Sequence, residues 1–396
     1  MNEAGQMSGE SLVAAAAPVR KQSSIRRLVI IYPQFLDPER KRQTIGGVQT
    51  YLADLAELAV GRFDEVCLAQ SSTSRFEKEW GNYIVCGFPE ATPASIVHQV
   101  GRQYGENCRI VFGSENFACR IPGPSVCIQH GVYWDIPHDL LETGIKRRLP
   151  RAALALCRQW QAVRRLQAQE NIVCVDLNII NWIRGSKVLD HLNLTYIPNY
   201  SSFESTKSQI EDKLAFRSKA SRIRVLYPRR FSPIRGTRLL PEIWGALRAR
   251  QSNIELVIAG EGPDEGFLRK AFQGADDVEF LISASPAAMK EQYEQADIVL
   301  VPSIASEGTT LVCLEAMASG CAIVATNVGG IGNLILPGYN GVLTFPRVGE
   351  VVGALDRMVA DRSLIGNYAL RGREVYEHAY SKNRWASQWL KVLESL

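Results

Sequence analysis

A chain of 396 residues is too long for a single hydrophobic core and sets an expectation of two domains. Its 46% hydrophobic and 22% charged residues are those of a globular protein, which excludes a disordered or collagen-like chain. The net charge of +4 is too small to argue for nucleic acid, and no apolar run approaches the roughly 18–20 residues of a membrane span.

The first 24 residues lack the basic start and long apolar stretch of a signal peptide and read as a flexible arm. "LVIIYP" (28–33) then opens a series of short β-branched runs, each fit for a buried parallel strand. "GGVQTYLADLAELAV" (46–60) follows with apolar residues at helical spacing, and "RIVFG" (109–113), "SVCIQ" (125–129) and "NIVCV" (171–175) continue the strand series. The polar, Ser-rich stretch "YIPNYSSFESTKSQ" (196–209) interrupts it. The pattern restarts with "RVLYP" (224–228), "IELVIAG" (254–260), "VEFLI" (278–282), "DIVLVPS" (297–303) and "CAIVAT" (321–326). Strand–helix alternation on both sides of the break predicts two doubly wound α/β domains. The expected division is 25–200, a linker at 201–222, 223–376, and a final amphipathic helix at 377–396 with Trp385 and Trp389 four apart. Ligands of such sheets bind beyond the carboxyl ends of the strands, so the cleft between the domains is the expected site. None of the nine cysteines has zinc-site spacing; Cys86, Cys127, Cys174, Cys313 and Cys321 lie in apolar runs and read as buried thiols of a reducing, cytoplasmic compartment.

Chemistry concentrates in "SEGTTLVCLEAMASG" (306–320). Helical spacing begins near Thr309 and ends before Gly320. Glu307 therefore stands ahead of a helix N-terminus, and Glu315 lies within the helix. The amides of Gly308, Thr309, Thr310 and Leu311 would have no partner inside the helix and form an anion site of the kind phosphates occupy. A carboxylate on either side could hold hydroxyl groups.

This stretch resembles the E-x7-E motif of retaining glycosyltransferases of family 4, which have the GT-B architecture of two facing Rossmann-like domains. "RRFSPIRG" (229–236) is similar to that family's G-R-x-x-x-x-K-G, with Arg230 at its arginine and Arg235 where lysine is usual. "VIAGEGPDEGFLRK" (257–270), "NVGGI" (327–331), "GYNGVL" (338–343), "QHG" (129–131) and "IPN" (197–199) also fall where the family has related segments. The resemblance implies a nucleotide-sugar donor held by Gly46, Gly47, Gly308, Thr309, Thr310, Leu311 and Glu315. It assigns catalysis to His130, Arg230, Arg235 and Glu307. The two arginines would stabilise the departing diphosphate, and Glu315 would hold the ribose. It also implies retained anomeric configuration, no cofactor and no required metal. The acceptor would be a saccharide or lipid-linked saccharide in surface polysaccharide or lipopolysaccharide assembly. Two departures stand out: Thr309-Thr310 replaces the usual Phe-Gly, and Gly332-Asn333 replaces Pro-Glu. A nucleotide-sugar epimerase and an inactive GT-B scaffold are the alternatives.

The segment "IKRRLPRAALALCRQWQAVRRLQ" (145–167) carries seven Lys or Arg residues and no acidic one. Leu149, Ala153, Leu156, Trp160 and Val163 form a stripe at helical spacing. The stripe is expected to pack on its own sheet with the arginines solvated. The alternative is a helix lying on an anionic membrane, which would place the protein peripherally on the inner face of the plasma membrane.

Overall fold

The computed structural model describes residues 25–37, 42–43, 46–105, 107–132, 150–186 and 189–396; the N-terminal arm and residues 145–149 of the basic segment lie outside them. Two parallel sheets form the two domains. The first has eight strands: β1 (Arg27–Tyr32), β2 (Glu65–Ser72), β3 (Phe76–Trp80), β4 (Tyr83–Pro89), β5 (Cys108–Phe112), β6 (Ser125–Gln129), β7 (Asn171–Cys174) and β8 (Asn193–Tyr196). Their order is β8-β7-β6-β5-β1-β2-β4-β3, parallel apart from β3, which pairs antiparallel with β4 at the edge. The apolar run of β1 is continuous because both faces are covered. Leu28 and Ile30 enter one core, Val29 and Ile31 the other.

The second sheet contains β9 (Ile223–Pro228), β10 (Ile254–Ala259), β11 (Val278–Leu281), β12 (Ile298–Val301), β13 (Ala322–Thr326) and β14 (Val342–Thr344), in the order β11-β10-β9-β12-β13-β14. From β9 the chain winds outward through β10 and β11, then returns to the other side of β9 at β12. The loops after β9 and β12 therefore diverge at a topological switch point, the place where open α/β sheets bind ligands.

Residues Lys207–Arg217, between the sheets, form a helix docked on the second domain. A capping box of Thr206 and Gln209 starts it, and Lys213 Nζ donates to the carbonyls of Tyr293, Ser319 and Gly320, each at 2.9 Å. After Tyr380 the chain crosses back. The terminal helix Lys382–Ser395 buries Trp385 and Trp389 in the core of the first sheet, against the helix Gly47–Ala59. Ser381 stands at its N-cap without a side-chain capping bond.

The basic helix, Arg151–Leu166, corrects the packing expected of its stripe. Val163 and Leu166 face the sheet, whereas Ala153, Leu156 and Trp160 are exposed. Among the described residues, no helix is long and apolar enough to cross a membrane.

Candidate functional site

Between the domains lies a cavity of about 540 Å³. Its second-domain wall is built from the two switch-point loops. Past β9, backbone pairing continues as Arg229 N–H donates to Ala259 O at 3.0 Å, and Arg229 turns its guanidinium inward. Arg235 follows on a short turn ending at Gly236, whose φ of 75° and contact with the Pro302 carbonyl leave no room for a side chain. Glu307 arrives from the loop after β12.

These three side chains form one cluster, buried at Arg229 and Glu307 and partly open at Arg235. Arg229 donates to Glu307 Oε1 and Arg235 pairs with Oε2; Ser303 Oγ also donates to the carboxylate. Arg229 reaches further, to Thr310 Oγ1 and Ser303 Oγ, both at 3.1 Å. Burial alone would push the Glu307 carboxyl up, but the charges of Arg229 and Arg235 outweigh it and hold it down at about 2. Arg229 is nearly buried, with 4% of its side chain exposed, and its Nε–H has no acceptor among the described residues. Arg230, the arginine chosen by motif spacing, lines the same cavity but is exposed and makes no ion pair among the described residues. The sequence reading missed Arg229. Two tandem arginines are chemically alike, and the signal that separates them is the extension of strand pairing to Arg229.

Gly308, Thr309, Thr310 and Leu311 line the cavity as its floor. The helix runs Leu311–Ala318 with Thr310 at its N-cap position, and its first amides lack intrahelical acceptors. Thr309 does not offer its hydroxyl to the cavity. It donates to Val175 O across the cleft, while Asn199 Nδ2 donates to Thr309 O at 2.6 Å. Close contact between Gly308 and the His130–Gly131 backbone completes this seam, and a Cβ on Gly308 would collide with the His130 carbonyl. Gly47 also lies on the cavity wall, beside Leu311.

His130 Nε2 sits 2.8 Å from Gly113 O, so that nitrogen carries the proton and Nδ1 is the acceptor. Burial lowers its pKa to about 4 despite the Gly113 bond, leaving a neutral imidazole near pH 7. Tyr51 holds the ring edge-on, with centroids 5.9 Å apart.

Glu315 lies apart from this cluster. It lines an adjoining pocket of about 220 Å³ with Gly46, Gly47, Tyr200 and Leu311. Its carboxylate accepts a 2.7 Å bond from Tyr293 OH, and burial raises its pKa against the effect of that bond. The structure thus brings His130, Arg230, Arg235, Glu307 and the 308–311 loop to one cavity. Glu315 and Gly46 fall beside it.

Residues 222–361 match the family model described as glycosyl transferases group 1. The second domain is therefore similar to group 1 glycosyltransferases, and the whole chain has the two-domain GT-B fold of the solved structures described below. Lipopolysaccharide 1,2-N-acetylglucosaminetransferase of Salmonella typhimurium is 33% identical over 150 residues, which is 35% of this chain and 39% of that protein. Phosphatidyl-myo-inositol mannosyltransferase of Mycolicibacterium smegmatis is 26% identical over 165 residues, 41% of this chain and 42% of that protein. The chain thus matches about two fifths of the length of these curated relatives. The fold likeness covers nearly everything. Sucrose-phosphate synthase from Thermosynechococcus elongatus superposes with a TM-score of 0.70 at 17% identity, covering 93% of this chain and 98% of its own. Anabaena HepE in complex with UDP and glucose gives 0.66 at 16%, covering 94% and 100%.

Proposed function

We propose that this chain is a glycosyltransferase that moves a sugar from a nucleoside diphosphate donor to a saccharide or lipid-linked saccharide acceptor, with retained anomeric configuration. The carrying observation is the Arg229–Glu307–Arg235 cluster under the amide-lined 308–311 loop. Three guanidiniums, counting Arg230, face the cavity against one carboxylate. That surplus of positive charge suits a diphosphate, and among the described residues the buried Nε–H of Arg229 has no acceptor. UDP is the favoured nucleotide, supported by the UDP-bound HepE structures of similar fold.

In this reading the bond from the anomeric carbon to the diphosphate breaks as the acceptor hydroxyl bonds to the same face of the sugar. The acceptor proton passes to the departing phosphate. Arg229, Arg230, Arg235 and the helix amides stabilise the leaving charge. Glu307 fixes the two guanidinium planes and is too fully engaged by Arg229, Arg235 and Ser303 to serve as a nucleophile. His130 Nδ1 accepts a bond from the donor sugar, and Glu315 holds the ribose. With charge met by arginines, no metal is needed, and turnover should persist in chelator. The relative named as a lipopolysaccharide N-acetylglucosaminetransferase, with WaaG among the similar structures, supports a role in surface glycan assembly.

The test is a thermal-shift screen with UDP, GDP and ADP sugars, followed by NMR of the product's anomeric centre. A rise in melting temperature with one donor class and a retained anomer are expected. Indifference to every nucleotide sugar, or an inverted product, would refute the proposal.

A further inference from the structure

We infer that the outer face of the basic helix Arg151–Leu166 is a docking surface for an anionic lipid bilayer. Leu156 and Trp160 are 64% and 59% exposed, and their four-residue spacing places them side by side on the helix. Among the described tryptophans that exposure is unusual, since Trp80, Trp182, Trp244, Trp385 and Trp389 are all partly or wholly buried. The helix buries Val163 and Leu166 instead, so its outward apolar pair is surplus to the fold.

Charge identifies the occupant. The helix carries Arg151, Arg158, Arg164 and Arg165 and no acidic residue. Arg164 and Arg165 are exposed, and the Arg164 guanidinium stands 4.8 Å from the centre of the Trp160 ring. A guanidinium beside an indole suits the bilayer boundary. The ring enters the headgroup layer, Leu156 reaches the acyl chains, and the arginine extends to lipid phosphates. Two apolar side chains fall well short of the roughly 800 Å² per partner that a stable protein interface buries. A bilayer needs no such complementary patch.

The surface connects to the cleft by short steps. Arg165 donates to Asn116 Oδ1, and Asn116 belongs to the turn that follows β5. That turn begins at Gly113, whose carbonyl holds His130. Docking would therefore bring a lipid-borne substrate to the first domain, although the docking itself does not depend on sugar transfer.

The test is flotation of the full chain with vesicles of phosphatidylcholine alone or mixed with phosphatidylglycerol, at low and high salt. Binding is expected with the anionic vesicles only, weaker at high salt. The double variant Leu156→Ala, Trp160→Ala should bind about tenfold less tightly, with its melting temperature unchanged. If that variant melts early, quenching by brominated lipid decides: it should appear in the native chain and be lost in Trp160→Phe. Equal binding to neutral vesicles, no binding, or quenching unchanged in Trp160→Phe would overturn the inference. So would a dimer, seen by sedimentation equilibrium, that Trp160→Ala breaks apart, because the face would then be a contact between two copies.

Discussion

Burial pulls Glu307 towards the neutral acid, yet Arg229 and Arg235 keep it ionised down to about pH 2. Removing Arg229 leaves that carboxylate buried beside a single cation, and Arg229→Ala should cost about 3 kcal/mol in chemical denaturation. Arg235 is the more accessible partner, with 30% of its side chain exposed. Arg235→Ala should lower turnover about 100-fold, the usual loss when one stabiliser of transition-state charge is removed. Arg230 is exposed and acts at longer range, so Arg230→Ala should raise KM for the donor with a smaller change in kcat. Steady-state kinetics on the two variants separates the roles, and a larger kcat loss at Arg230 would return the phosphate contact to that residue. The motif showed that arginines belong here, and burial determined which of the tandem pair closes on Glu307. A second carboxylate behaves in the opposite way. Glu115 lies buried in the turn after β5, and desolvation raises its pKa to about 7, outweighing its own backbone bond and the nearby Arg165 charge. Between about pH 4.5 and 7 the folded chain keeps a proton that the unfolded chain has lost, so stability falls as pH rises through this window. The penalty is complete above it, of order 3 kcal/mol. Glu115→Gln should therefore stabilise the protein at pH 8 and not at pH 4.5, as read from urea unfolding at both. An equal effect at the two values would mean the carboxyl is ionised in the folded state throughout.

Strands were legible in the sequence where both faces are buried. β1, β12 and β13 carry unbroken apolar runs, and β9 and β10 do so from Val225 and Leu256 onward, because helices cover them on each side. β2 ends in Gln70, Ser71 and Ser72, and β8 is the mixed run Asn193–Tyr196, so neither carries that signal. Gln70 is polar for a reason that spacing cannot show. Its side-chain amide bonds the backbone of Phe35 and Leu36, tying down the segment after β1. The loop at 308–311 shows the same limit. Its composition sets the expectation of an anion site, while the seam it makes with the first domain depends on residues 134 and 110 positions away. Thr309 is the residue to test at this scale. Its hydroxyl bonds Val175 O and its carbonyl accepts from Asn199, so the loop is fastened to the opposite domain. Thr309→Val keeps the shape and loses one hydrogen bond, worth about 1 kcal/mol. The expected result is a kcat/KM reduced about fivefold and a larger radius of gyration by small-angle scattering, because the seam opens more readily. Unchanged scattering together with unchanged kinetics would show that Thr309 does not hold the cleft closed.

The two domains are joined twice, by residues 197–206 and again where the chain turns at Tyr376–Tyr380 before the terminal helix. The second crossing makes the far end of the sequence part of the first domain's core. Trp389 is fully buried, and its Nε1–H donates to Tyr51 OH at 2.6 Å; Trp385 meets Tyr51 edge-on at 5.3 Å and Tyr200 at 4.7 Å. Tyr51 in turn supports the His130 ring, so these tryptophans stand behind the cleft wall without touching the cavity. Lys382 adds a 3.0 Å ion pair to Asp54 on the same helix as Tyr51. Trp389→Ala removes one of the two tryptophans of this cluster and the 2.6 Å hydrogen bond to the Tyr51 hydroxyl, a loss of about 3–5 kcal/mol. The loss should fall on the first domain alone, since Trp389 makes no part of the second sheet's cores. Urea unfolding followed by hydrogen exchange should show β1 and the helix Gly47–Ala59 opening at lower denaturant, with β9, β10 and β12 protected as before. Nucleotide binding, which the proposal assigns to the second domain, should survive at low urea while transfer to an acceptor declines. Simultaneous loss of protection in both sheets would instead show that the terminal helix holds the whole molecule as one cooperative unit.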